Sequence, residues 1–285
     1  MNTKLIEYNG IPIYRTFFGD NINEDNSISL IAKAWYKNSS IPSNSQHKVI
    51  LANSEEEKEF YENNYDVDVL FCNHNAFLNE TRYIIKDDVK KEYNMVISSC
   101  FRNYKRIWLA KDIPDILHIG YKNGPLEYIP DFGTRANFKN NSTNMEDWDF
   151  FCTKKYVNLL NSSVCGGMFS EVEGACFSSS EYLLCGLPVL STPSKGGRDV
   201  FYNSQNSIIC EPSVDGVTKG YNDIMTNLHK FDRYAIRETH LQQMDIFRNR
   251  LTEYVKDKLE DVYKITVDLP QLKSLLSYYD NSNEW

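Results

Sequence analysis

The chain has 285 residues, 41% of them hydrophobic and 25% charged, so it can bury one large core or two modest ones and is no disordered polymer. Its formal net charge of −8 carries no dense Lys/Arg block, which excludes the basic stripe that a nucleic-acid partner requires. No apolar run approaches the roughly 18 residues of a membrane span, and Met1 to Tyr14 lacks a basic region followed by an apolar one. A cytoplasmic protein with no transmembrane segment and no signal peptide is therefore expected.

From residue 46 onward, short apolar runs alternate with helix-like segments, the signature of parallel strands joined by crossover helices. Strands are predicted at Lys48–Ala52, Val67–Cys72, Asn94–Ser99, Ile116–Tyr121, Val164–Phe169, Pro188–Ser191 and Ile208–Cys210. Between the first two, Ser54 caps a helix with Glu55, Glu56 and Glu57 in its first turn, running to about Asn63. A second unit of this kind has Lys105 to Asp112 as its helix, ended by Pro114. Asn123 to Asp147 is rich in Asn, Gly, Pro and Asp and reads as a long loop. Farther on, Ile236, Leu241, Met244, Phe247, Leu251, Val255, Leu259 and Val262 recur at helical spacing. That stripe is read as packing, with Pro270 closing the helix and a short helix over about Gln271–Tyr279 after it.

Seven cysteines without a C-x-x-C pair read as reduced core residues, and five histidines without clustering imply no tightly held metal. The chemistry concentrates in Val164 to Thr192, which parses as strand, acidic turn, helix, glycine stop and strand. Glu173-Gly174 lies where a parallel strand gives out at its carboxyl end, the edge at which open α/β sheets bind ligands. The helix that follows, with Ser178 to Ser180 near its start, presents free N–H groups and a positive dipole end suited to a phosphate. Glu173 and Glu181 flank that anion site. A carboxylate accepts hydrogen bonds from two neighbouring hydroxyls, so the pair suggests sugar rings on either side of a diphosphate. Gly186 stops the helix, Leu187-Pro188 starts the next strand, and Ser194 to Gly197 forms a flexible turn able to approach the ligand.

These residues resemble the retaining glycosyltransferases of the family 4 type, built on the GT-B architecture of two Rossmann-like domains. Glu173-Gly174 to Glu181, Gly186-Leu187-Pro188-Val189 and Gly196-Gly197 follow that family's order and spacing. The resemblance implies that Glu173 contacts the donor sugar near the reaction centre and that Glu181 holds the ribose hydroxyls. It places the diphosphate on the amides around Gly174, Ala175, Cys176 and Phe177. A cationic element after the first donor-domain strand is matched by Arg102, Lys105 and Arg106, with either arginine as the partner of Lys105. Their service would be to stabilise the charge developing on the leaving diphosphate.

The implied fold is α/β, with a reduced acceptor-side domain over residues 1–88, a donor domain over 89–265 and a C-terminal helix over 266–285 packing back toward the N-terminal domain. The implied activity is hexosyl transfer from a nucleoside-diphosphate sugar to a glycan or other hydroxyl acceptor with retention, without a tightly bound cofactor or metal. The shortened acceptor side invites a second copy of the chain to complete the site. His47 and His74 are candidates for sugar contact by location, and Trp148, Phe150 and Phe151 could line a base pocket or belong to a core. The alternative is a catalytically degenerate protein that binds a sugar nucleotide or glycan. An epimerase or phosphorylase fits less well, since the cofactor-lysine region of phosphorylases is missing. An NAD enzyme fails for want of a G-x-G-x-x-G after an early strand.

Overall fold

The computed structural model describes residues 4–16, 26–33, 35–38, 47–121, 136–138 and 153–278. Lys4–Tyr8 (β1) and Ile11–Thr16 (β2) form an antiparallel hairpin about Asn9-Gly10, whose φ angles are 48° and 80°. Asn-Gly is the dipeptide that a two-residue type I′ turn favours. Ile28–Ala32 (β3), His47–Ala52 (β4) and Asp68–Phe71 (β5) add in parallel, giving a sheet in the order β1-β2-β3-β4-β5. Glu55–Asn64 (α1) connects β4 to β5, and Ser54 Oγ accepts from the Glu57 N–H at 3.2 Å as its cap. Side chains alternate across β4: Val49 and Leu51 join the main core, whereas Ile50 and Ala52 pack with Tyr61 of α1.

The second sheet is built from Tyr93–Cys100 (β6), Ile116–Tyr121 (β7), Ala136–Phe138 (β8) and Ser163–Met168 (β9). Thr153–Asn161 (α2) precedes β9, and Val172–Glu173 (β10) and Phe177–Leu184 (α3) follow it. Val189–Ser191 (β11), Lys195–Gly196 (β12) and Ser207–Ile209 (β13) complete the strands. The order is β13-β11-β9-β6-β7-β8, with every pairing parallel, while β10 and β12 make a separate two-stranded pair. The chain enters this sheet at β6, winds outward through β7 and β8, then returns to β9 and winds out the other way. The direction therefore reverses between β6 and β9, the place where doubly wound sheets leave a crevice at their carboxyl edge.

Val214–Thr226 (α4) is capped by Ser213, whose Oγ accepts from the Gly216 N–H, and covers one face of the second sheet through Val217, Tyr221 and Ile224. Arg233–Asp261 (α5) begins at Asp232, which accepts from the N–H groups of Tyr234 and Ala235. Its buried positions Ile236, His240, Met244, Phe247, Leu251, Val255 and Leu259 fall three or four residues apart. Through this face α5 joins the two halves: the Phe247 ring meets Phe71 of β5 edge to face at 5.0 Å and Phe201 at 5.6 Å, and Arg248 donates to the carbonyls of Ala76 and Leu78. Leu269–Leu276 (α6) lies against the first sheet, where the Leu276 carbonyl accepts from Arg15 Nη2 at 2.8 Å. One apolar core runs from Ile13 and Val49 of the first sheet to Val96 and Leu117 of the second.

Two elements differ from expectation. Lys105 to Asp112 is not a helix but two 3-10 turns, Asn103–Lys105 and Ile107–Ala110, separated by Arg106 at φ 47°. The left-handed residue breaks the helical ladder and turns Ile107, Leu109 and Ala110 into the second core. Pro270 opens α6 within its first turn and closes nothing, since α5 already ends at Asp261. The cysteines at 72, 100, 165, 176, 185 and 210 are all free.

Candidate active site

The crevice between β6 and β9 is bridged by an ion pair. Lys105, at the end of the turn after β6, meets Glu173 of β10, and their side chains are only 12% and 6% exposed. Burial opposes the Lys105 charge, and its neighbours Cys176, Glu173 and Tyr104 more than reverse that effect, holding the ammonium well above its ordinary range. Cys176 is the weaker of these influences at neutral pH, because burial pushes its thiol up to about 12 and keeps it uncharged. The carboxylate of Glu173 is thus the countercharge that matters. The Tyr104 ring lies 5.2 Å from Lys105 Nζ. Glu173 is held from behind by β12. A Cβ on Gly196 would sit 1.8 Å from the Glu173 carbonyl oxygen, and its φ of 96° favours glycine.

Next to this pair, α3 begins at Cys176, which has φ 58° and makes no side-chain hydrogen bond to the helix start. The positive end of the helix dipole thus lies at the loop Gly174–Cys176 that follows Glu173. An amide lattice from the first sheet closes onto the same loop. Asn75 Nδ2 donates to the carbonyls of Ala175 and Cys176 at 2.9 and 3.1 Å, and Asn73 Nδ2 donates to those of Asn53 and Gly197 at 2.9 and 2.8 Å. The Gly197 N–H in turn donates to the Gly174 carbonyl at 2.9 Å. His74 joins this cluster, with its ring 5.4 Å from Phe177. Burial and nearby Arg15 push its imidazole down to about 3, so it is neutral. His47 is the first residue of β4, at the amino edge of its sheet and away from this crevice.

Glu181 lies one helical stretch deeper. Tyr83 Oη donates to its Oε1 at 3.0 Å and Tyr156 Oη to its Oε2 at 2.7 Å. Tyr156 Oη also lies 3.0 Å from Ser98 Oγ; its one proton serves the carboxylate, so the serine hydroxyl is the donor in that contact. Burial raises the Glu181 carboxyl above its usual range, and the two tyrosine hydroxyls pull it back only in part. Of the three sequence-predicted cations, Lys105 alone is described in contact with Glu173. Arg102 precedes the Asn103–Lys105 turn, its N–H donating to the Cys100 carbonyl, while Arg106 reaches the Phe169 carbonyl through Nε and Thr192 Oγ1 through Nη2.

Several residues of this assembly were not apparent from the sequence. Arg198 is fully buried and uses all five of its N–H donors. They go to Asp199 Oδ1, to the Ser170 carbonyl and Oγ, to Ser191 Oγ and to the Thr192 carbonyl, tying together the carboxyl ends of β9 and β11. Asn53, Asn73, Asn75, Tyr83 and Tyr156 act at long sequence range. The only local signal was the polar run Cys72-Asn73-His74-Asn75 directly after a parallel strand. Trp148, Phe150 and Phe151 lie outside the described residues, as does the loop expected over Asn123–Asp147 except for Ala136–Phe138, which is not loop but the edge strand β8 paired with β7. Among the described residues, no group of three His, Cys, Asp or Glu side chains could hold a metal, and no helix is long and apolar enough to cross a membrane.

No protein-family model matches the sequence, and no curated protein matches it. Solved structures do share its fold. TarM aligns with a TM-score of 0.58 at 14% identity, over 83% of this chain and 51% of its own. Sucrose-phosphate synthase from Thermosynechococcus elongatus aligns with a TM-score of 0.57 at 11% identity, over 84% of this chain and 68% of its own. HepE from Anabaena, in complex with UDP and glucose, aligns with a TM-score of 0.58 at 12% identity, over 83% and 72%. The chain thus spans about half the length of TarM. Two largely parallel sheets, a switch point between β6 and β9 and these likenesses together give the chain an α/β fold of the GT-B type.

Proposed function

We propose that the protein transfers a hexose from a nucleoside-diphosphate sugar to an acceptor hydroxyl, with retention at the anomeric carbon. The observation that carries this reading is the Lys105–Glu173 pair at the switch point, beside the N-terminal end of α3. In this scheme the donor diphosphate lies on the amides of Gly174, Ala175, Cys176 and Phe177. Lys105 and Arg102 offset its charge, and Glu181 accepts from the ribose hydroxyls. Arg106 and the Gly196-Gly197 turn shape the loops around it.

A bound diphosphate competes with Glu173 for Lys105, which releases the carboxylate to orient hydroxyls of the donor hexose. The bond from the anomeric carbon to the diphosphate oxygen breaks, and the acceptor oxygen bonds to that carbon on the same face. The acceptor proton passes to the departing diphosphate, so no side chain acts as nucleophile. Lys105, fixed as an ammonium, stabilises the leaving charge without rearrangement. On this reading residues 1–88 form the acceptor side, 89–265 the donor side and 266–285 the returning helix. The acceptor is a glycan or another hydroxyl compound.

A second reading, a protein that binds a sugar nucleotide or glycan without turnover, draws on Glu181, whose two oxygens already accept from Tyr83 and Tyr156. The deciding experiment offers UDP-, GDP-, ADP- and TDP-sugars to wild type and Glu173→Ala and scores released nucleoside diphosphate. UDP comes first because the Anabaena HepE structure holds it. Release that depends on Glu173 supports transfer. Nucleotide binding without release supports the binding protein, and absence of both binding and release would sink both readings.

A further inference from the structure

We infer that Trp35, backed by Tyr36 and Tyr104, is the platform on which the ring of an acceptor sugar stacks; this deepens the transferase reading and rests on it. The turn at residues 35–38 follows the carboxyl end of β3. It is tightly built: Lys37 takes φ 50°, its N–H donates to Glu57 Oε1 at 3.1 Å, and its Nζ pairs with Glu56 at 2.9 Å. Tyr36 Oη bonds the same Glu56 carboxylate. A left-handed non-glycine residue is unfavourable by about 1 kcal/mol and persists only where its surroundings over-determine it, and here the acidic first turn of α1 does so.

What this turn holds in place is an exposed indole beside the reaction pair. Trp35 is 44% exposed and meets Tyr104 edge to face, with centroids 6.2 Å apart and planes at 77°. Tyr104 is itself fixed, since its Oη lies 3.5 Å from Cys100 Sγ and its carbonyl accepts from the Glu171 N–H at 3.2 Å. Its ring adjoins Lys105, which pairs with Glu173. On the other side, a Cβ at Gly196 would be 3.3 Å from Tyr36 Cδ2 and 1.8 Å from the Glu173 carbonyl oxygen, so the Tyr36 ring reaches the backbone that carries Glu173. Tyr104 thus borders the carboxylate–ammonium pair, with Trp35 packed on its far side and Tyr36 beside the backbone at Gly196 that meets Glu173.

A pyranose has an apolar C–H face and a rim of hydroxyls. Stacking the face on an indole buries apolar surface against an electron-rich ring, while the rim turns to the carboxylate. The occupant is the acceptor and not the nucleobase. A base must lie within reach of the ribose, whose proposed partner Glu181 is surrounded by Tyr83, Tyr156 and Ser98, none of which touches Trp35 among the described contacts. Trp35 comes instead from the first sheet, on the Glu173 side of the diphosphate.

The test compares wild type, Trp35→Ala and Trp35→Phe on an array of α- and β-glucans, galactans and N-acetylhexosamine oligosaccharides, with UDP present. It then measures transfer to the best-bound oligosaccharide. Trp35→Ala should weaken glycan binding and raise the acceptor KM roughly tenfold, a loss of about 1.4 kcal/mol, with Trp35→Phe recovering most of it. The thermal shift given by UDP should be the same in all three. Glycan binding unaffected by either substitution overturns the platform, as does a rise in donor KM with acceptor KM unchanged, or a wild type that binds no glycan on the array. Trp35-dependent glycan binding with no nucleotide-sugar turnover leaves the platform standing and sinks only the transferase reading.

Discussion

Glu173→Gln removes one charge at nearly constant shape and leaves the Lys105 ammonium, 12% exposed, without its carboxylate. Breaking a buried pair from one side typically destabilises by 3–5 kcal/mol; the remaining amide oxygen and slight exposure place this one near the lower end, at about 3 kcal/mol. For a chain of this size each kcal/mol moves Tm by about 2–4 °C, so the variant should melt roughly 6–12 °C lower. UDP carries the missing negative charge. Saturating UDP should therefore raise Tm more in Glu173→Gln than in wild type, because the diphosphate takes the vacated place beside Lys105. Differential scanning fluorimetry with and without UDP, urea melts, and a cycle with Lys105→Met measure both effects. Additivity of the two substitutions within about 0.5 kcal/mol, or an equal UDP shift in both proteins, would refute the assigned coupling.

Acid should destabilise the protein steeply. His74, His118 and His240 are pushed down to about 3 by burial, so between that value and the unfolded 6.5 the unfolded chain binds the extra protons and stability falls as pH falls. At pH 5 each histidine withdraws up to about 2 kcal/mol. His240, whose ring nitrogens find no partner among the described residues, is the one to replace. His240→Met should flatten the urea-midpoint slope between pH 7 and 5 by about a third, and an unchanged slope would count against the argument. Gly197→Ala would place a Cβ 2.4 Å from Asn53 Cβ and 2.6 Å from the Asn53 carbonyl oxygen. Overpacking at that contact should lower stability by about 1–3 kcal/mol and weaken UDP binding in a titration, because the same loop carries Gly174.

The parts of the fold that were legible are those written locally. Strands such as Val49–Ala52 and Met95–Ile97 are buried on both faces and read as apolar runs, and the stretch from Glu173 to Gly197 announces its turn, helix, stop and second turn through glycine and proline. The first three strands escaped because a search for alternating units from residue 46 passes over the Asn9-Gly10 hairpin. The break at Arg106 carries no local mark; its backbone is left-handed because Ile107, Leu109 and Ala110 must reach a core assembled elsewhere. The same holds for the polar partners at the crevice. Asn75 and Ala175 stand 100 residues apart and Tyr83 and Glu181 stand 98 apart, distances across which no residue pattern is visible.

α5 has a mechanical consequence. A helix of 29 residues, about 43 Å long, fastens its apolar side to Phe71 of one half and Phe201 of the other, and Arg248 clamps it to the segment after β5. Two half-molecules sharing one strut have no free hinge at that seam, for swinging them apart would peel Phe247 and Leu251 into water.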